Sequence, residues 1–174
     1  MPTIGVAVAI PEPWGQQLQD YRLSLGDEMA TTIPTHITLV PPLEIGNDEL
    51  PAIEAHLADV ASRIEAFDIH LRGTGTFRPV SPVVFVSLVE GISQTEQLAA
   101  AVRRGPLATD LDFPFHPHVT IAHHVDENSL DLAFNDLATF ECVFSADEFH
   151  LYLHDDATGW APNVDFKLRT GAVS

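Results

Sequence analysis

The chain has few of the residues that mark several classes of protein. Of its 174 residues, one is a cysteine, Cys142, and 10 are glycines, which excludes a disulfide scaffold and a collagen-like repeat. A single cysteine is typical of a reducing compartment or of simple burial. No apolar run approaches the roughly 20 residues that span a bilayer, and no basic region precedes an apolar stretch at the start. We therefore expect a cytoplasmic protein that does not contact membranes.

Basic residues are also scarce. The sequence has 8 lysine and arginine residues against 25 aspartate and glutamate residues, a formal net charge of −17. Such a charge repels polyanions, which argues against duplex DNA as a partner. A small anionic substrate remains compatible with it, because one pocket needs only a few local donors. The acidity itself indicates solubility, and with 45% apolar residues the chain is predicted to fold as a single monomeric domain over residues 1–174.

Hydrophobic periodicity predicts strands that alternate with helices. Pro41-Pro42 is expected to end the second strand, and the segment 73–77 is expected to form a loop. Asn47 or Asp48 is the predicted cap of the second helix, and the run 93–96 resembles a capping box for the third. The predicted strands cover residues 3–10, 36–40, 67–71, 83–88, 116–122, 140–144, 149–154 and 160–168; the predicted helices follow Pro13, Pro51, Ser93 and Glu127.

The order of these elements contains a repeat. Strand, helix, strand, helix, strand occurs once in roughly residues 1–78 and again in residues 79–174, with little sequence identity between the halves. A duplicated unit of this kind predicts an α+β fold with two lobes related by a pseudo-twofold axis. Equivalent strands, in two antiparallel sheets with helices outside, would then face a central cleft.

Each half contains a His-apolar-Thr-apolar motif on its second strand. Residues two apart on a strand share a face, so His36 projects with Thr38, and His118 projects with Thr120. Across a pseudo-twofold cleft, two imidazoles and two hydroxyls would converge on one point. Imidazoles can act as base and acid near neutral pH, and hydroxyls can donate hydrogen bonds to phosphate oxygens. This set suits phosphoryl chemistry without a metal or other cofactor.

The segments 35–42 (THITLVPP) and 117–122 (PHVTIA) resemble the twin signatures of the 2H phosphoesterases. That superfamily includes the 2′-5′ RNA ligase-like proteins and the cyclic nucleotide phosphodiesterases. The resemblance covers most of the chain, including the segment 73–88 between the motifs. It implies a bilobal α+β fold and a role in RNA processing, with hydrolysis of 2′,3′-cyclic phosphates or 2′-5′ linkages.

By this resemblance, His36 and His118 are the acid–base pair, while Thr38 and Thr120 hold the phosphate. Which histidine is the base, and whether a 2′- or a 3′-phosphate is formed, stays open. Family members often carry a basic residue at the position of His123, and this departure could weaken phosphate binding. Together with the acidic surface, it favours a small nucleotide or a short RNA end as substrate over folded RNA.

Four further residues are candidates for substrate binding: Phe77, Tyr152, His116 and His123. The aromatic rings could stack on a nucleobase, but core packing is the more common role of such residues. Two alternatives to the phosphoesterase are a catalytically silent module that binds nucleotides or RNA ends, and a metal hydrolase that uses His116 and His118. On an uninterrupted strand His123 would lie on the face opposite His118, which argues against metal binding.

Overall fold

The computed structural model describes residues 2–31, 33–108 and 114–170. These parts of the chain contain eight strands and four helices, with short 3₁₀ turns at Glu28–Thr31 and Gly105–Leu107. The strands are β1 (Thr3–Ala9), β2 (His36–Glu44), β3 (Phe67–Thr76), β4 (Val83–Glu90), β5 (His118–His123), β6 (Glu141–Ala146), β7 (Glu148–Asp155) and β8 (Gly159–Lys167). The helices are α1 (Trp14–Ser24), α2 (Leu50–Arg63), α3 (Ile92–Val102) and α4 (Glu127–Asp136).

The strands form one curled antiparallel sheet in the order β6-β3-β4-β5-β2-β1-β7-β8. The predicted α+β class is confirmed, and the two expected sheets are two four-stranded halves of this sheet. They join between β5 and β2 through one bridging pair, Ile37 and Val119. Each half combines strands from both parts of the chain, because β3 pairs with β4 while β7 pairs with β1. The division near residue 78 therefore follows the chain order, and the duplication stays a prediction.

The alternation of β1 separates a core face from a face of small residues. Ile4, Val6 and Val8 are buried in the core, and the residues that alternate with them are Gly5, Ala7 and the following Ala9. All four helices add apolar side chains to the same core, which joins the two halves of the sheet. Within the described residues, no helix is long and apolar enough to cross a membrane.

Two strands continue through segments that were expected to interrupt them. β2 runs through Pro41-Pro42 because the pairing with β1 shifts there: Val6 pairs with Val40, and Ile4 pairs with Leu43. The prolines are exposed in this irregular stretch, where a missing N–H does not break the ladder. β3 runs through the segment 73–76 in the same way, with Gly73 at φ +72° in the register shift between β3 and β4.

Two predicted helix caps are wrong. α2 begins after Glu49 rather than at Asn47 or Asp48, and the Glu49 carboxylate accepts a hydrogen bond from the backbone of Gly46. α3 begins at Ile92 after Gly91, whose φ of +85° is a conformation that favours glycine. Ser93 therefore lies inside the helix, and the run 93–96 is not a capping box. The fourth helix and the hairpin of β7 with β8 are confirmed.

Candidate active site

The two His-x-Thr motifs lie side by side where the halves of the sheet meet. Ile37 of β2 pairs with Val119 of β5, and both side chains are fully buried. In an antiparallel pair, the residues that flank such a pair all point to the opposite face. His36 therefore lies across from Thr120, and Thr38 lies across from His118, on one face of the sheet.

The two catalytic candidates have the same local hydrogen bond. Nδ1 of His36 lies 2.6 Å from the carbonyl oxygen of Pro34, and Nδ1 of His118 lies 2.6 Å from the carbonyl oxygen of His116. A carbonyl can only accept a hydrogen bond, so each Nδ1 carries the proton and donates it. Each neutral ring is thereby held as the tautomer whose Nε2 can accept a proton.

Both imidazoles are poised to be neutral near pH 7. Burial lowers the pKa of His36, and the nearby Arg22 charge lowers it further. Burial also lowers the pKa of His118, and the charges of His116 and His36 act in the same direction. The hydrogen bond to the backbone carbonyl opposes this lowering of the pKa in both histidines. A bound anion beside either ring would favour its protonated form.

Both motif strands contain a one-residue bulge directly after the threonine. Ala7 pairs with Thr38 and Val6 pairs with Val40, so Leu39 is the extra residue in β2. In β5, Thr120 pairs with Phe85 and Ala122 pairs with Val84, which leaves Ile121 extra. A bulge shifts the alternation of the residues that follow it.

The predicted position of His123 is wrong because of the bulge in β5. Ile121 and Ala122 are both buried, and His123 returns to the side of Thr120, where both side chains line one cavity. His123 thus faces the site rather than its reverse. Burial and the neighbouring His124 lower the pKa of His123, and the rings of His123 and His124 stack with centroids 3.8 Å apart.

A cavity of about 220 Å³ opens beside the first motif. Five of the eight residues singled out from the sequence line it: His36, Thr38, Thr120, His123 and Tyr152. The described residues that line it together with these five are Gly5, Val6, Ala7, Arg22, Ile33, Pro34, Val40, Pro42 and Trp160. His118, Phe77 and His116 lie outside this lining, on the side of the second motif.

His118 of the second motif lies among aromatic rings, whereas Thr120 of the same motif lines the cavity. The centroid of His118 lies 4.9 Å from that of Phe77 and 5.2 Å from that of Phe85. His116 is exposed, but its ring also contacts both phenylalanines, with centroids 5.5 and 5.3 Å away. The ring of Phe85 lies over Gly75, where a Cβ atom would come within 2.6 Å of it. Phe77 and His116 therefore pack around His118.

The far wall of the cavity is aromatic. Tyr152 is buried opposite Gly5, and burial raises the pKa of its hydroxyl to about 12, so this hydroxyl stays protonated. The indole of Trp160 lies over Gly5, within 3.4 Å of the position where a Cβ atom would be. The sequence analysis missed Trp160 because it treated β8 only as a strand.

Arg22 is the second residue that the sequence analysis missed. It is 5% exposed on α1, and Asp27, 1% exposed, accepts hydrogen bonds from its Nε and Nη2 at 3.0 and 2.7 Å. The apolar residues at helical spacing in this segment include Leu18 and Tyr21. The structure buries Gly15, Leu18 and Arg22, and apolar periodicity alone does not select an arginine for the buried face.

Other reactive residues are placed away from this chemistry. Cys142 is buried, and burial raises the pKa of its thiol to about 11. Arg78 donates to the carboxylates of Glu127 and Asp131, at 2.8 Å each. Within the residues that the structure describes, no three histidine, cysteine or acidic side chains are grouped so that they could hold a metal ion.

Sequence comparison finds a family whose model matches most of this chain. The profile of the 2′-5′ RNA ligase superfamily matches residues 10–158. A protein of Halalkalibacterium halodurans named as a candidate phosphoesterase is 28% identical over 166 residues, 94% of this chain and 96% of its own length. A similarly named protein of Bacillus cytotoxicus is 28% identical over 80% of this chain and 82% of its own length.

Solved structures show the same fold. E. coli LigT in complex with NADP⁺ superposes with a TM-score of 0.70 at 19% identity, covering 97% of this chain and 98% of its own. The E. coli LigT complex with 3′-AMP gives a TM-score of 0.69 at 20% identity, covering 97% of this chain and 99% of its own. A Thermus thermophilus protein gives 0.69 at 23% identity, covering 99% of this chain and 100% of its own.

Proposed function

The chain belongs to the 2′-5′ RNA ligase superfamily, and from this premise we propose that it is a metal-independent phosphoesterase. Its proposed substrates are 2′,3′-cyclic phosphates or 2′-5′ phosphodiesters of small nucleotides or short RNA ends. The observation that supports this most directly is the shared geometry of His36 and His118. Both rings are held by a backbone carbonyl at Nδ1, and both motifs lie on one face of the sheet.

The proposed reaction needs one base and one acid. One imidazole takes a proton from water through its Nε2, and the water oxygen forms a bond to phosphorus. The bond from phosphorus to one ribose oxygen breaks, and the other imidazole, in its protonated form, donates a proton to that oxygen. Thr38 and Thr120 donate hydrogen bonds to the non-bridging oxygens, where negative charge increases in the transition state.

The lowered pKa values are compatible with these two roles. A neutral imidazole is ready to act as the base. The acid needs a proton, and the negative charge of a bound phosphate favours the protonated form of the ring that it contacts. The substrate thus promotes the protonation state that its own cleavage requires.

The cavity favours a small substrate. A volume of about 220 Å³ is below the range of about 300–1,000 Å³ that is typical of drug-sized ligands. The structures of E. coli LigT contain 3′-AMP, ATP or NADP⁺, and we extend small-nucleotide binding to this chain. A cytoplasmic, monomeric enzyme that does not bind duplex DNA or membranes fits the net charge of −17.

The remaining candidates receive different roles in this proposal. Tyr152 contacts the nucleoside inside the cavity, and His123 donates a hydrogen bond to the phosphate. Phe77 and His116 lie outside the cavity lining and pack against His118. We assign them to the rim of the site, where they hold this imidazole in place and contact the outer part of the substrate.

Turnover of the four 2′,3′-cyclic nucleotides in EDTA tests the proposal. We expect wild type and the control His70→Ala to produce nucleoside monophosphates, because His70 bonds to Glu141 away from the cavity. His118→Ala should lose turnover, and chromatography of the products identifies which ribose oxygen leaves.

Two other outcomes lead to the alternatives. Loss of activity in EDTA would favour the metal hydrolase. Binding of nucleotides without turnover of cyclic or 2′-5′-linked substrates would favour the silent binding module. The replacement of a permanently charged residue by His123 is the feature that supports this second function.

A further inference from the structure

One permanently charged side chain is present among the described residues that line the cavity. That residue is Arg22, which shares the cavity with His36, Thr38, Thr120 and His123. Its charge lowers the pKa of both His36 and His123, while the charge of Asp27 raises the pKa of His123.

The ion pair of Arg22 with Asp27 is almost fully removed from water. The two side chains are 6% and 0% exposed. Removing two charges from water is costly, and apolar residues of similar size often stabilise a fold equally well. Stability alone therefore explains this pair poorly. Its position in the wall of the cavity points to a role in binding.

The geometry of the pair leaves one edge of the guanidinium for a second anion. Asp27 accepts from Nε and Nη2 through the same oxygen, Oδ2. Among the described residues, no hydrogen bond engages Nη1. A guanidinium presents five donors in a fixed fork, so it can bond a carboxylate on one edge and a phosphate on another.

We propose that Arg22 binds the reacting phosphate of the substrate, and that Asp27 holds its guanidinium toward the cavity. This inference rests on the proposed function. It identifies the positively charged side chain that the proposed phosphate site requires. At position 123, after the second motif, this chain has a histidine instead of a permanently charged residue. The permanent positive charge comes instead from Arg22 on α1. Arg22 would attract the phosphate anion and stabilise the charge that develops on its oxygens.

Binding of inorganic phosphate, measured by calorimetry, tests the proposal without any turnover. The variant is Arg22→Met with Asp27→Asn, which removes both charges so that neither is left buried alone. We expect phosphate affinity to fall about 10- to 100-fold, the usual value of a hydrogen bond to a charged group. The matched control, Arg63→Met with Asp59→Asn, removes an exposed ion pair on α2 and should bind phosphate like wild type.

A neutral probe separates charge recognition from damage to the cavity. Adenosine should bind the Arg22–Asp27 double variant and wild type equally. Arg22→Lys keeps the charge without the fork, so it should weaken phosphate binding less than the double variant. This variant also decides the question if the double variant does not fold.

Three results would overturn the inference: no binding of phosphate to wild type, unchanged phosphate affinity in the folded Arg22 variants, or an equal loss for adenosine and phosphate. Failure of the proposed function gives a different result. In that case cyclic nucleotides would not turn over, while phosphate binding would still depend on Arg22.

Discussion

The two motif strands share their local geometry and differ in what surrounds them. β2 and β5 each contain a histidine held at Nδ1 by a carbonyl two residues earlier, and each contains a bulge after the threonine. Both His36 and Thr38 of the first motif line the cavity, whereas of the second motif only Thr120 does, and His118 packs against Phe77 and Phe85. Under the proposed function, we expect the substrate to contact both strands, with most of its contacts to the residues that line the cavity.

The neighbouring strand explains this difference. Across from Thr38, β1 presents Ala7, and Gly5 lines the same cavity. Across from Thr120, β4 presents Phe85, whose buried ring lies beside His118 and over Gly75. The cavity lining thus contains the methyl group of Ala7, while the corresponding position of β4 carries a phenyl ring.

The arginines near the two motifs also differ in their surroundings. The arginine beside the first motif, Arg22, lies in the cavity wall. Near the second motif, Arg78 follows Phe77 and is bonded to two carboxylates of α4. Of these two arginines, Arg22 therefore lines the cavity and Arg78 does not.

The largest effect is expected from removing either histidine, because the comparison assigns equal chemical roles to both strands. His36→Ala and His118→Ala should each lower kcat/KM by about 10²- to 10⁴-fold, the usual contribution of general acid–base catalysis. The double variant should lose little more than the single variants, because the pair acts as a unit. Steady-state kinetics of each variant, with His70→Ala as the control, measures these losses of kcat/KM. Wild-type turnover in either single variant would rule out the two-histidine mechanism.

The second prediction concerns the phenylalanine rings that pack beside His118. Phe85→Ala should lower the free energy of unfolding by about 3–5 kcal/mol, since it removes a buried ring that lies over Gly75. Urea denaturation measures this value. Phe134 is 36% exposed, so Phe134→Ala should cost clearly less. If both variants lost the same free energy of unfolding, Phe85 would not stabilise the packing around the second motif.

The third prediction concerns the position of β1 that corresponds to Phe85 of β4. Ala7→Phe places at β1 the side chain that β4 has at Phe85, and it should fill the cavity. A phenyl ring in the cavity occupies the space of the nucleotide, so the affinity for 3′-AMP should fall about 10- to 100-fold by calorimetry, a loss of about 1.4–2.8 kcal/mol. Ala58→Phe, at an exposed position of α2, is the control. Unchanged affinity in Ala7→Phe would place the nucleotide elsewhere.

The smallest effect is a displacement of the pH dependence. The pKa values of His36 and His118 are both lowered from about 6.5, so the maximum of kcat/KM should lie on the acid side of that value. Bound phosphate favours protonated imidazole, so the alkaline limb of kcat should lie at higher pH than that of kcat/KM. Rates across the acid and neutral range measure both limbs. Coincident alkaline limbs would exclude this effect of the phosphate.

Much of the fold could be predicted from the sequence, because alternation and helical spacing are local properties. The face of β1 that carries Gly5 and Ala7 could be read directly from every second residue. Both motifs and the order of the elements were equally visible. The helix caps were not, since the actual start of α3 depends on the backbone conformation of Gly91 rather than on a hydroxyl at Ser93.

The amino-acid sequence by itself determined which side chains share a face within each motif strand, because neighbouring residues on a strand point to opposite sides. Only the tertiary structure decided how the strands combine. The pairing of Ile37 with Val119 brings the motifs together, the bulge at Ile121 turns His123 toward the cavity, and the burial of Arg22 places a charge there. These features depend on contacts between residues that are distant in the chain, and local periodicity contains no information about such contacts.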